Sequence, residues 1–560
     1  MASEDIKYWI ILNIKDLSHA NGIITITNVP FDLFNSKQHP QILNTIENII
    51  SLTHSKVSSL IVFDIYFTNN DQFPLSLSYY QIILTYIYSL YSSQLSFNQH
   101  ILIRFPQLMS VKPNVNINST LNIQYNISNH NLSITNETNS NSFSFLSTET
   151  TYPPMLESII NSPNLIANNI KIFSYKRICF AGSFDHFHNG HNILLQLSLM
   201  LSQNEIFIGV TSDEMIKHKG KECVLQNIEY RSEIISNILN LNGKSNSAEI
   251  SIITIYDPIS FAGIDKDLEV LVLTNETFKG GELVNNTRKQ NKIKEVELIA
   301  INVIDYCGRI ENNNPQTKIS SSIIRKELIE KINIDILEFL YNKWNELNKN
   351  VFIQSDQDKV RVISLKWWNI IRDEYMKKWK WYHNLNHVYF CLNKYYQTIN
   401  DISSGLNKEN EFEYAIWFHD IVYSPSKNDN ESKSVDKFIS FYEDISSFPE
   451  SKTINKDKVI KYISTTSCHL TNINDNNISN LFFLDIDVSI ISDSDLYMEY
   501  ENQIHKEYTF VYNEDEYKKG RKHFLEQLLQ KDKIFRTKYY FDLYETKARN
   551  NLNSIIQFLN

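Results

Sequence analysis

The sequence predicts an α/β protein joined to an all-α one: a parallel sheet with helices on both faces, then a helical domain, with a small α/β region in front. Three observations carry this. Between residues 175 and 330, apolar runs of strand length alternate with helical patterns, the order that produces a parallel sheet. From Ser364 onward the apolar spacing is helical nearly throughout, as in Val459 to Cys468 and Phe524 to Leu529. The chain also has 560 residues, more than one hydrophobic core of roughly 250–300 residues holds. The expected divisions are a small α/β region over 1–110, a polar linker or insert over 111–170, the sheet domain over 171–345 and the helical domain over 355–560.

In the first region Leu60 to Phe67 reads as a strand, Tyr79 to Leu90 as a helix and His100 to Phe105 as another strand. It offers no catalytic constellation. From Val111 to Pro154 the chain is rich in Asn, Ser and Thr, the composition of a flexible insert. The net charge of −10 gives no general basic surface for nucleic acid or an anionic membrane. Five dispersed cysteines without a CxxC pair read as reduced thiols of the cytosol. The opening Met-Ala-Ser-Glu-Asp-Ile-Lys lacks a signal pattern, and no apolar run has the length of a bilayer span. A cytoplasmic protein is expected.

The sheet domain is organised around Arg177 to His191. Ile178 to Ala181 reads as a buried strand that breaks at Gly182, and a helical pattern starts at Gly190 with Ile193, Leu194, Leu197 and Met200 on one face. A helix that begins directly after a strand and a tight loop presents unpaired amides and the positive end of its dipole to an anion. His188 and His191 stand three apart at that mouth. Further strands are expected at Glu205 to Thr211, Ile250 to Tyr256, Glu269 to Thr274 and Val296 to Ile304, with ligand beyond their carboxyl ends. Near the end of the domain, hydroxyls at a helix start precede an arginine by one turn, in Ser320-Ser321-Ser322 and Arg325. That pattern suits a phosphate clamp.

The segment Gly182-Ser183-Phe184-Asp185 to His188-Asn189-Gly190-His191 resembles the nucleotidylyltransferase superfamily, whose Rossmann-like domain ends in a signature similar to Lys318 to Arg325. Leu271 to Gly281 and Asp257-Pro258 to Ala262-Gly263 are similar to the eukaryotic phosphopantetheine adenylyltransferases of coenzyme A synthase type. The resemblance implies transfer of the adenylyl group of ATP to 4′-phosphopantetheine, giving dephospho-coenzyme A and pyrophosphate, with Mg²⁺ on the triphosphate. It implies that Gly182, Ser183, Phe184, His188, His191, Ser320, Ser321, Ser322 and Arg325 bind ATP, with the two histidines and Arg325 catalytic, while Thr277, Gly280 and Gly281 shape the nucleotide pocket. Lys217 or Lys219 would meet the incoming phosphate, and Arg231 is a weaker candidate. A P-loop for a following kinase is missing: Gly243-Lys244-Ser245 has Ile238 where the motif needs glycine. A separate dephospho-coenzyme A kinase is therefore expected. Two other readings compete. A cytidylyltransferase of alcohol phosphates shares the histidine loop, but usually closes on Arg-Thr-x-Gly-Ile-Ser-Thr-Ser. A nucleotide-sensing scaffold would bind without turnover.

The helical domain carries different chemistry. His383 and His387 are four apart and expected on one helical face, Trp417-Phe418-His419-Asp420 adds a His-Asp pair, and His469 and Leu484-Asp485-Ile486-Asp487 follow. Imidazole with carboxylate suits a divalent metal such as Mn²⁺ or Mg²⁺. The order resembles the HD superfamily of metal-dependent phosphohydrolases, and Asn430-Glu431 with Ser434 and Ala548 to Leu552 match a predicted hydrolase branch of it. The resemblance implies His387, His419, Asp420 and Asp487 as metal ligands, His383 as general acid and His469 near a second ion. Asp485 competes with Asp487 for the last ligand position. A phosphomonoester, for instance phosphopantetheine, is the expected substrate class, against a binding module without hydrolysis.

Overall fold

The computed structural model describes residues 170–301 and 320–559, apart from 243, 246–247, 378, 469 and 471–476, together with segments between 21 and 144. The chain divides into two compact units, Met1–Leu328 and Ile329–Asn560. The division falls earlier than the expected one between 345 and 355, because the helix Ile334–Val351 packs its buried Leu337, Leu340 and Trp344 into the second unit.

The first unit holds two larger sheets. In the N-terminal one, β1 (Asn21–Val29), β2 (Leu60–Phe67), β3 (His100–Arg104), β4 (Thr120–Asn126), β5 (Asn131–Thr135) and β6 (Ser140–Ser144) lie in the order β3-β2-β1-β4-β5-β6. The first four run parallel; β5 is antiparallel to β4, and β6 is antiparallel to β5. Within the stretch 111–170, expected to be a polar linker or insert, residues 145–169 lie outside the described residues, while β4 to β6 belong to the sheet. Their signal was the alternation Leu121-Asn122-Ile123-Gln124-Tyr125, a strand period carried by polar residues on one face.

The second sheet is built from β7 (Tyr175–Gly182), α1 (Asn189–Leu201), β8 (Ser202–Thr211), α2 (Ile228–Asn242), β9 (Glu249–Ile255), β10 (Val270–Thr274), α3 (Phe278–Gln290) and β11 (Glu297–Ile301). Its order among the described residues is β9-β8-β7-β10-β11, all parallel. Each expected strand forms within a few residues of its predicted bounds; the stretch from 302 to 304 lies outside the described residues. Phe180, Ile206, Ile208, Leu197 and Val270 are fully buried between the layers. The strand order reverses between β7 and β10, which opens a crevice beyond their carboxyl ends. A hydrogen bond of 2.8 Å from Gln196 Nε2 on α1 to the Tyr88 hydroxyl joins the sheet domain to the N-terminal region. Helix α4 (Ser321–Lys331) follows.

The second unit is helical: α5 (Ile334–Val351), α6 (Gln357–Tyr375), α7 (Leu385–Asn400), α8 (Asn410–Phe418), α9 (Asn430–Ile445), α10 (Lys456–Thr465), α11 (Ile478–Val488), α12 (Tyr497–Thr509), α13 (Glu514–Leu529) and α14 (Lys538–Leu559). Trp344, Trp368 and Trp417 are fully buried, and the Trp344 indole donates to the Ser364 carbonyl at 2.8 Å. Among the described residues no helix is long and apolar enough to cross a membrane.

Candidate active sites

The first site lies at the mouth of α1. His188 is its N-cap, with extended backbone at φ −137° and ψ 174°. The His188 amide donates to Nδ1 of His191 at 3.3 Å, and the two rings stack with centroids 3.8 Å apart. Because Nδ1 accepts, the network assigns the proton of a neutral His191 to Nε2, a donor. Burial pushes His191 down to about 3, so it stays neutral near pH 7. Phe184, fully buried, packs against the rings of Phe187 and His191. It is a floor under the histidine rather than a polar ligand. Phe184 and His186 both hold left-handed backbone, with φ of 51° and 46°; such residues cost of order 1–3 kcal/mol each and persist where their surroundings impose them.

Those surroundings are specific. Gln226 locks the loop from both sides: its side-chain oxygen accepts from the His186 amide at 2.7 Å, and its own amide donates to Asp185 at 2.9 Å. Asp185 is 1% exposed and paired with Arg325 on α4, whose guanidinium also donates to the Ser322 hydroxyl at 3.0 Å. The histidine loop and the closing serine-arginine segment are thus bonded to each other. Ser320 accepts from the Ile323 amide at 3.4 Å, as a helix cap does, whereas Lys318 and Ile319 lie outside the described residues.

Several candidates differ from their expected roles. Arg231 is fully buried, donating to the carbonyls of Ser183 and Thr211 at 2.6 and 2.8 Å and to Asp213 at 2.6 Å. It braces the loop. Lys219 is the lysine near this site: burial lowers it first, and the charges of Arg325, Asp185 and Arg231 act on it too. Lys217, like Lys219, is exposed. Thr277 uses its hydroxyl locally, accepting from the Thr274 amide at 3.0 Å. A Cβ on Gly281 would meet Leu273 Cδ1 at 2.4 Å, while one on Gly280 would meet open space. Gly281 therefore lets α3 approach the sheet, and only Gly280 faces a free volume. Asp185 was missed as a functional residue. Its signal was a carboxylate set among Phe184, His186 and Phe187, with an arginine waiting in the second motif.

The second site gathers the expected donors of the helical unit. His387 Nε2 lies 3.0 Å from His419 Nε2, 3.1 Å from Asp487 Oδ1 and 3.5 Å from Asp420 Oδ2. His419 Nε2 lies 3.2 Å from Asp420 and 3.5 Å from Asp487. His419 donates through Nδ1 to the Ile416 carbonyl at 2.9 Å, which turns Nε2 toward the cluster. Burial disfavours charge on His419, but Asp420 and Asp487 beside it overcome that and hold it well above its usual range. The two imidazoles and two carboxylates match the donor set of a divalent cation. The turn carrying His419 and Asp420 is held by buried Lys380, which donates to the carbonyls of Asp420 and Ile421 at 2.8 and 2.9 Å; burial pushes its ammonium down to about 7.

Asp485 and Asp487 stand two apart on α11 and so face opposite ways. Asp487 joins the cluster, whereas Asp485 accepts from the amides of Arg536 and Thr537 and from the Thr537 hydroxyl, anchoring the start of α14. His383 is not on a helical face with His387. Asn384 caps α7 by accepting from the Asn386 amide at 2.8 Å, so the helix begins at Leu385 and His383 sits in the turn before it. Its ring is still only 5.9 Å from that of His387, is paired through Nδ1 with buried Glu507 and stacks on Tyr423. His469 lies outside the described residues. Asn430 and Ser434 serve the scaffold, bonding Ser424 and Val422 beyond the His-Asp turn, and Arg549 holds the carbonyls of Leu529 and Lys531. Beside the cluster, a cavity of about 490 Å³ is lined by Asp420, Asp487, His383, Tyr382, Tyr423, Tyr500, Tyr508, Phe524 and Arg521. Arg521 is paired with Glu501 at 2.7 Å.

A cytidylyltransferase-like family model matches residues 179–327. A phosphopantetheine adenylyltransferase of Thermococcus kodakarensis is 34% identical over 157 residues, spanning 28% of this chain and 88% of that protein. The phosphopantetheine adenylyltransferase of Saccharomyces cerevisiae is 30% identical over 147 residues, 26% of this chain and 47% of its own length. An uncharacterised Schizosaccharomyces pombe protein is 30% identical over 182 residues, 31% of this chain and 57% of that one.

Proposed function

The chain belongs, through residues 179–327, to the cytidylyltransferase-like family of phosphopantetheine adenylyltransferases, and from this we propose that it transfers the adenylyl group of ATP to 4′-phosphopantetheine. The 4′-phosphate attacks the α-phosphorus and pyrophosphate leaves, giving dephospho-coenzyme A for a separate kinase. The observation that supports it best is the pair of stacked imidazoles at the α1 mouth, tied through Asp185 and Arg325 to the closing segment. The α1 amides and His191 Nε2–H meet the triphosphate as fixed donors, so charge is stabilised without a covalent intermediate. Lys219, beside Arg325, meets the incoming phosphate. Mg²⁺ carried on the triphosphate supplies further charge neutralisation when bound.

The test is pyrophosphate release with 4′-phosphopantetheine and either ATP or CTP. Release with ATP is expected, reduced at least about a hundredfold in His191→Ala, the size of effect of losing one preorganised donor. Preference for CTP would favour the alcohol-phosphate alternative, and recovery of intact nucleotide would favour a sensor.

For the helical unit we propose a metal-dependent phosphomonoesterase of the HD type. His387, His419, Asp420 and Asp487 would hold a divalent ion, which supplies a nucleophilic hydroxide near neutral pH when bound. His383, oriented by Glu507, stands at the cavity wall to protonate a leaving oxygen. Phosphopantetheine is the first substrate to try, since the fused transferase consumes it. Absence of phosphate release from every pantetheine phosphate, with Mn²⁺, Mg²⁺, Zn²⁺ or Fe²⁺ present, would remove that substrate.

A further inference from the structure

The donor cluster of the helical unit contains one group that the His-His-Asp-Asp pattern does not include. Cys391 follows His387 by four residues on α7, so both side chains leave one face of that helix. Its thiol is free and the residue is 1% exposed. Cys391 Sγ lies 3.7 Å from His387 Nε2, and the donor atoms of His387, Cys391, His419 and Asp487 all fall within 4.8 Å of one another. Bond lengths of about 2.0–2.1 Å to nitrogen and 2.3 Å to sulfur place neighbouring donors of one ion about 3–3.6 Å apart, from octahedral to tetrahedral angles. The separations of 3.0, 3.1 and 3.5 Å among the two imidazoles and Asp487, and of 3.7 Å from sulfur to His387 Nε2, fall in or near that range. A second observation comes from Tyr382. This residue is 8% exposed, its ring lies 4.8 Å from that of His387, and its hydroxyl has no hydrogen-bond partner.

We propose that Cys391 is a thiolate ligand of this centre and that the resident ion is thiophilic, Zn²⁺ or Fe²⁺ rather than Mg²⁺. This rests on the reading of the cluster as a metal site. Asp420 and Asp487 face the cavity while Cys391 does not line it, so sulfur would close the buried side and leave the cavity side for water and substrate. On binding, the metal–sulfur bond replaces the sulfur–hydrogen bond and the proton goes to solvent. Soft sulfur shifts affinity toward Zn²⁺ and away from Mg²⁺ and Mn²⁺. The competing account is a cysteine that merely fills apolar space beside His387.

The experiment is Co²⁺ titration of the metal-stripped full chain, followed by absorption and by equilibrium dialysis. The proposal expects about one Co²⁺ per chain with a near-ultraviolet thiolate-to-cobalt charge-transfer band. It also expects that Cys391→Ser keeps the visible ligand-field bands, loses the charge-transfer band and lowers the Zn²⁺-over-Mn²⁺ preference at least about tenfold. Cys391→Ala serves equally should the serine variant fail to fold. Ligand-field absorption without a charge-transfer band in the unmutated chain, or a band that survives both substitutions, overturns the proposal while leaving a metal site of nitrogen and oxygen. Failure to take up Co²⁺ at all overturns the metal reading itself, and this proposal with it.

Discussion

Between Gly182 and His191 a single loop supplies most of one site, whereas the helical unit assembles its donors from α7, the turn after α8 and α11. The loop works mainly through backbone: amides at a helix mouth, two left-handed residues and a cap. The helical centre works through side chains whose positions depend on how three helices pack. Charged groups are also used differently. In the first unit Arg231 and Arg325 are spent on holding the loop in shape, while in the second the charged groups are themselves the donors. A site made of backbone needs braces, and its braces are the points at which it breaks.

The largest effect should therefore come from the Asp185–Arg325 pair. Asp185→Asn leaves Arg325, 6% exposed, buried beside a neutral group, at a cost of about 3–5 kcal/mol. Denaturant unfolding should show the loss, and pyrophosphate release should fall with it. The double variant Asp185→Asn with Arg325→Met should regain part of the stability and none of the activity. Equal stability in the single variant and the parent would mean that the pair does not hold the loop.

Next in size is the separation of two carboxylates on one helix. Asp485→Asn weakens three hydrogen bonds at the start of α14 and should cost about 1.5–3 kcal/mol, the range for bonds to a charged group, with metal uptake retained. Asp487→Asn should do the reverse, abolishing uptake with little change in the unfolding of the metal-free chain. Matching behaviour of the two variants would erase the distinction between anchor and ligand.

The same contrast governs what could be read from sequence. The strand, tight loop and helix mouth of the first site were legible because their residues are contiguous. Its brace was not, since Asp185 and Gln226 meet only through the path of the chain after β8. In the helical unit the donors His387, His419, Asp420 and Asp487 could be named from their order. The choice between Asp485 and Asp487 needed the rotation of α11, and His383 was misplaced on a helix because the cap at Asn384 outweighed the four-residue spacing. Strands β4 to β6 were hidden by composition: their polar face looks like linker when residues are counted and like sheet only when they are alternated.

Two neighbouring glycines test a smaller difference between contact and vacancy. Gly281→Ala should cost about 1–3 kcal/mol, because Leu273 and Leu298 must repack around the new methyl. Gly280→Ala meets nothing within 4 Å and should be neutral or stabilise α3 by up to about 1 kcal/mol. Raised Michaelis constants for nucleotide in Gly280→Ala alone, measured by pyrophosphate release, would assign the open space above it to the ligand.

The last effect concerns His191 and appears only in acid. Its folded value of about 3 lies below the ordinary histidine value of 6.5, so below about pH 6.5 the unfolded chain takes up a proton that the folded chain refuses until about pH 3. The unfolded state then binds more protons, and stability falls as pH falls through that window. Above it the contribution is constant. In His191→Asn the side-chain oxygen can still accept from the His188 amide, but the titrating group is gone. Melting curves should therefore coincide in their pH dependence above neutrality and diverge below it, the unmutated chain losing stability more steeply. Parallel curves down to about pH 4 would mean that the ring is solvated enough to charge in place. A fraction of it would then meet ATP as an imidazolium near neutral pH.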